Sequence, residues 1–167
     1  TITINNAASA GGHFASYGTS LTVAGPVISS GTVTSRIGTV VFAGGGSYSR
    51  FDLVDGTTRL GANNGLATNA SAYLGTVGSP TTAYFDLAGF NQTLAGVFVG
   101  QTFSNAIIGN SSTTSDSLLT LTGTSSFAGN IQDTLLGVGT RKTALTLSGG
   151  SLILSGTNSY TGVTTLS

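Results

Sequence analysis

The feature that most constrains this chain is the shortness of its apolar runs. They recur at Ile2–Ile4, Leu21–Val23, Val40–Phe42, Phe51–Leu53, Tyr84–Leu87, Leu94–Val99, Ile107–Ile108, Leu118–Leu121, Leu145–Leu147 and Leu152–Leu154. Most are three to five residues long, and Gly or Asn follows nearly every one. Such runs are too short for helices and end at residues that break regular structure. Apolar residues alternate with Thr or Ser within them. Leu21 and Val23, or Leu119 and Leu121, therefore share one face, and Thr22 or Thr120 takes the other.

Composition points the same way. The chain has 26 Gly, 28 Thr and 22 Ser, its five acids are all Asp, and Lys occurs once. Strong helix formers for exposed positions are nearly missing, while β-branched and turn residues abound, so little or no helix is expected. Charged residues make up 6%, the net charge is +0 and the mean hydropathy is +0.31, which is not the pattern of a disordered chain. A neutral surface of Thr, Ser, Asn and Gly exerts no pull on nucleic acid or anionic membrane. No run of 18 apolar residues exists, so no spanning helix is expected and this segment should not insert in a membrane. No signal peptide is visible, and the chain reads as a mature or excised segment. Without Cys, neither a disulfide nor a thiolate metal site can form. A continuous hydrogen-bond ladder would supply stability in their place.

The closing stretch 145–166, LTLSGGSLILSGTNSYTGVTTL, carries the most specific pattern. Leu152, Leu154, Ser155, Gly156, Asn158, Tyr160, Gly162, Thr164 and Thr165 match, in order, an L-x-L-S-G strand, an N-x-Y-x-G turn and a T-T strand. This resembles the autotransporter-associated β-strand repeat of bacterial autotransporter passenger regions. RLGANNGL (59–66) and FDLAGFNQTLAGV (85–97) are similar to segments that accompany that motif, so the resemblance covers residues 21–167. It implies an extracellular or outer-surface bacterial location and a structural or adhesive role.

Internal similarity is also present. VVFAGGGSYS (40–49) aligns with LILSGTNSYT (152–161), and LTVAG (21–25) with LTLTG (119–123), so 21–49 matches 119–161. The offsets differ, which places a longer insertion in the second copy, at the Ile131–Lys142 loop. Tyr48 and Tyr160 are expected at equivalent corners about five turns apart. Each repeat cannot bury its apolar face alone, but stacked turns can. The expected fold is a single domain over 1–167. It is all-β: a right-handed, single-stranded parallel β-helix of about seven to eight turns. An antiparallel sandwich is the weaker reading, because hairpin dipeptides occur only at Asp55-Gly56 and Asn64-Gly65.

Candidate chemistry is sparse. His13, the single histidine, reads as a loop residue, and no G-x-S-x-G elbow marks a nucleophile. Arg50, Asp52, Asp55 and Arg59 form the densest charged cluster; if Phe51 and Leu53 point inward, Arg50 and Asp52 share the outer face. Asp86, Asp116 and Asp133 are scattered. Gly44-Gly45-Gly46 lacks the Lys-Ser/Thr of a phosphate loop. Outward Thr22, Thr120 and Thr146 could form a flat array, and Asn110, Asn130 and Asn158 could stack at corners. No catalytic, cofactor-binding or metal-binding residue is assigned, and no enzyme is expected.

The ends are the remaining feature. Ile2 and Ile4 at one, and Val163 and Leu166 at the other, lie on strands with no visible polar cap. They are the expected end-to-end contacts, with the chain itself as partner in head-to-tail stacking or in a longer repeat. The expected role is a stalk or filament segment. A polysaccharide-acting or carbohydrate- or ice-binding β-helix is the alternative.

Overall fold

The computed structural model describes residues 7–9, 12–76, 81–101 and 105–167. These residues form strands and turns without helix, wound into a parallel β-solenoid of three faces. The first face holds β2 (Gly12–Ala15), β5 (Thr32–Arg36), β8 (Arg50–Leu53), β10 (Ser71–Leu74), β13 (Gly96–Val99), β16 (Ser125–Phe127) and β19 (Leu152–Leu154), paired in that order. The second holds β3 (Leu21–Val23), β6 (Thr39–Phe42), β9 (Gly56–Leu60), β11 (Thr82–Asp86), β14 (Asn105–Gly109) and β17 (Asn130–Ile131). The third begins with β1 (Ala7–Ser9), β4 (Val27–Ser29) and β7 (Gly46–Ser47), and ends with β12 (Gln92–Leu94), β15 (Ser117–Leu121), β18 (Thr143–Leu147) and β20 (Thr164–Leu166). Between these two groups the segment 61–70 crosses without a strand. Gly45 N–H donates to Gly65 O and Asn64 N–H to Asn91 O, which carries the ladder across the gap.

The alternation read from the sequence determines what faces inward. On β15, Leu119 and Leu121 are buried while Leu118 and Thr120 are not. On β8, Phe51 and Leu53 are buried while Arg50 and Asp52 face out. The inward side chains form one continuous core from Phe14 to Leu145. Each such Leu or Phe contributes about 1.5–3 kcal/mol by leaving water. Phe42 meets Phe14 and Phe51 edge to face, with centroids 5.4 Å apart in both pairs. This is the arrangement aromatic quadrupoles favour.

The turn count is about six rather than seven to eight, because the turns are unequal. First-face partners run His13, Thr34, Asp52, Tyr73, Phe98, Ser126 and Ile153. One turn thus takes about 20 residues at the start and about 27 at the end. The added length sits at corners, notably 110–116 and 132–142. The latter departs furthest from the ladder. It leaves the solenoid as a two-residue hairpin in which Leu135 and Val138 exchange backbone hydrogen bonds across Leu136 (φ 55°) and Gly137 (φ 72°). Positive φ at both central residues is the turn geometry that tight hairpins favour.

The sequence match between 21–49 and 119–161 is not a match of position. Val40–Phe42 lies on the second face and Leu152–Leu154 on the first; Leu21–Val23 is on the second and Leu119–Leu121 on the third. Tyr48 and Tyr160 consequently occupy different corners. The letters agree because every face asks for the same short alternating strand, not because the faces coincide. His13 is also corrected: it is exposed on strand β2, not in a loop.

Candidate end-to-end interface

The closing motif builds the last turn. Leu152 and Leu154 turn inward on β19 and are half-buried against the core, while Ile153 between them is 60% exposed. Asn158 and Asn130 then tie this turn to the previous one reciprocally. Ile131 N–H donates to Asn158 Oδ1 at 2.9 Å, and Thr157 N–H donates to Asn130 Oδ1 at 2.9 Å. The Asn side chains thus stand in for ladder bonds where the corner has no strand. They bond backbone rather than each other, unlike stacked amides. Asn110 is not part of this pair; it is buried in the 110–116 loop and donates to Ser115 O and Lys142 O.

The motif glycines are required by close approach. A Cβ at Gly156 would lie on the carbonyl oxygen of Gly129, and one at Gly162 on that of Thr143. Only Gly lets the last turn seat on the backbone below. Tyr160 lays its ring on the core, with its hydroxyl 2.8 Å from Thr164 Oγ1. Tyr48 is fully interior, its hydroxyl accepting the Ala67 N–H at 3.1 Å, and burial raises its phenol well above the usual range. Both rings face inward, but at different corners.

Asp133, from the inserted loop, adds a clamp. Its carboxylate accepts from the N–H and hydroxyl of Thr161 and from Thr143 N–H, at 2.7–3.1 Å. Partial burial pushes this carboxyl upward. The hydrogen bonds from Thr143 and Thr161, with the Lys142 charge, outweigh it and hold the group below the ordinary carboxylate range.

An inward column of the third face runs into this turn. Leu94, Leu121, Leu147 and Leu166 are successive register partners on the third face. Leu94 and Leu121 are 0% exposed, Leu147 is half-buried and Leu166 is 73% exposed. Among the described residues, β19 and β20 are hydrogen-bonded along one edge and present the other to solvent. Val163, also 73% exposed, gives its carbonyl to Leu145 N–H and stands beside this edge. At the opposite end β1, β2 and β3 are the outermost strands of their sheets among the described residues. Ile2 and Ile4 lie outside the described residues.

No protein-family model, no curated protein and no solved structure matches this chain.

The charged cluster divides between two faces and a corner. Arg50 pairs with Asp52 at 2.8 Å on the outside of the first face, as their spacing predicts, and lies 4.1 Å over the Tyr73 ring. Tyr73 in turn stacks on Phe98 at 4.8 Å. Asp55 caps a corner by accepting the N–H of Ile37, a residue at φ 56°. Arg59 lies on the second face and pairs with Asp86. Thr120 and Thr146 are outward neighbours in a four-rung column with Thr93 and Thr165. Thr22 lies on the second face, opposite Val41. The sequence reading missed Gln92, which points inward in the column of Leu119 and Leu145 and is 1% exposed. Its amide accepts from Leu66 N–H and donates to Leu66 O and Thr93 O. Among the described residues no His/Asp group is placed to hold a metal ion.

Proposed function

We propose that this chain is a structural β-solenoid segment that lengthens by adding turn upon turn, as a stalk or filament shaft on the outside of a bacterial cell. The observation that carries this reading is the unbroken parallel ladder of the first face, seven strands stacked along one axis over a continuous apolar core. A further turn with an inward apolar residue would cover Leu166 and pair the free edges of β19 and β20. Open strand edges are templates for further strands, and a contact between unlike ends gives an open filament where its rotation does not close a ring. The partner is another solenoid turn, from a second copy or from the same polypeptide. The outer surface and bacterial origin rest on the resemblance of the closing motif to autotransporter passenger repeats.

The test is light scattering and electron microscopy of the 167-residue chain across a concentration series. Growth into narrow filaments, abolished by Leu166→Asp with the circular dichroism spectrum unchanged, is the expected result. A monodisperse monomer at high concentration, indifferent to Leu166→Asp, rejects end-to-end growth.

A further inference from the structure

The inserted hairpin at Leu135–Val138 does not continue the solenoid; it folds over the outside of the second face and roofs a cleft of about 140 Å3. Leu135 is 1% exposed and anchors the hairpin, whereas Leu136 and Val138 remain 58% and 53% exposed at the rim. The floor is Thr39, Thr57, Arg59, Asp86 and Ser111. We propose that this cleft binds an acidic sugar unit, with Arg59 taking its carboxylate.

The polar floor is ordered for this. Asp86 is buried, and its oxygens are already supplied. Oδ1 accepts from Ala88 N–H at 2.9 Å and Ser111 N–H at 3.0 Å, and Oδ2 accepts from the Ser111 hydroxyl at 2.7 Å. Arg59 Nε approaches the same Oδ2 at 3.3 Å, the longest of these contacts. The Arg59 Nη2 group also donates to the Ser111 hydroxyl at 3.0 Å. Asp86 and Ser111 therefore fix the guanidinium by one edge, while its charge is only partly used. The side chain is 46% exposed and lines the cleft, so its other N–H groups remain for a ligand. A planar guanidinium held this way prefers a carboxylate, which it can grip with two parallel hydrogen bonds.

The rest of the cleft fits a sugar ring better than a bare anion. Thr39 and Thr57 are register partners on adjacent rungs, about 4.8 Å apart in backbone, and both line the cleft with Arg59. Hydroxyl-bearing side chains of this kind can give and accept hydrogen bonds with the hydroxyls of a ring. Leu136 and Val138 supply the aliphatic wall that a ring's C–H face needs. Apolar lining with a few converging polar groups is the usual make-up of a small-molecule site. One such unit in an open cleft binds weakly, in the millimolar range.

Saturation-transfer NMR with glucuronate, glucose and acetate as probes tests this, because it works on monomers and fibres alike. Glucuronate should give saturable transfer, with glucose and acetate markedly weaker. Arg59→Gln should weaken glucuronate at least about tenfold, the scale of one charge-assisted contact, and Leu136→Ser should weaken it less. Asp86 keeps its other three donors in Arg59→Gln, so the fold should survive. Arg50→Gln, on another face, and Leu166→Asp, at the open end, should leave binding unchanged. That separates this site from end-to-end growth. Absence of saturable transfer, equal transfer to acetate, or indifference to Arg59→Gln each overturns the proposal.

Discussion

Leu166 stands in register on Leu147, one strand further along the axis, and the two differ in cover rather than in chemistry. Truncating this column rung by rung should read out that cover. Leu121→Ala removes a fully buried side chain and should cost about 2–5 kcal/mol in urea denaturation. Leu166→Ala should cost under about 0.5 kcal/mol in dilute solution, as expected for an exposed site. If concentrated protein grows filaments, the Leu166→Ala cost should rise with concentration. Equal costs at high dilution would mean that Leu166 is already covered within one molecule.

The seating of the last turn depends on two glycines that have no room for a Cβ. Gly162→Ala drives a methyl into the Thr143 carbonyl, and Gly156→Ala into that of Gly129. Overpacking against backbone should cost about 1–3 kcal/mol. The damage should be local: hydrogen exchange at Leu145, which donates to Val163 O, should speed up markedly. Exchange at Leu121 should change little. Uniform acceleration along the chain would contradict a separable last turn.

Acid should loosen the same turn. The Asp133 carboxyl is depressed in the folded state, so its contribution is complete above the unfolded carboxylate value of about 4. It is lost as pH falls through the lower folded value, where the Thr161 and Thr143 donors lose their charged acceptor. Hydrogen exchange near Thr161 should therefore rise at low pH. In Asp133→Asn that pH step should be absent. A step of equal size in the variant would assign it to another group.

Two interior polar groups should be costly to remove. Gln92→Leu fits the apolar column but strands the Leu66 N–H and carbonyl, and Tyr48→Phe strands the Ala67 N–H. Each should cost about 1–3 kcal/mol, the penalty of an unpaired buried group. Thermal melts showing Gln92→Leu as stabilising would mean that water reaches Leu66.

The sequence made the strands legible because alternation and corner residues act over two to five positions. Leu119 and Leu121 point inward and Arg50 shares the outer face with Asp52, both from local pattern. What it hid depends on turn length. Arg59 looked like a neighbour of Asp55, yet its partner Asp86 comes from the next turn, and Ser111 from the turn after that. Asn91 likewise accepts the Leu118 N–H one turn on, at a separation of 27 residues. Because turns vary from about 20 to about 27 residues, no fixed period in the letters could have paired these groups. Gln92 was hidden for a related reason: its position is apolar in the two following turns, and only the strandless 61–70 crossing calls for an amide there.

The parallel register of all three faces has a mechanical consequence. Strands run across the axis, so their ladder bonds lie along it. Tension applied at the two ends loads those bonds in series, one strand at a time, and the outermost turn peels first. Bending is shared among three walls around a filled core. A solenoid of this build resists bending, yet yields turn by turn when pulled lengthwise, and it recoils as each turn finds the one beneath.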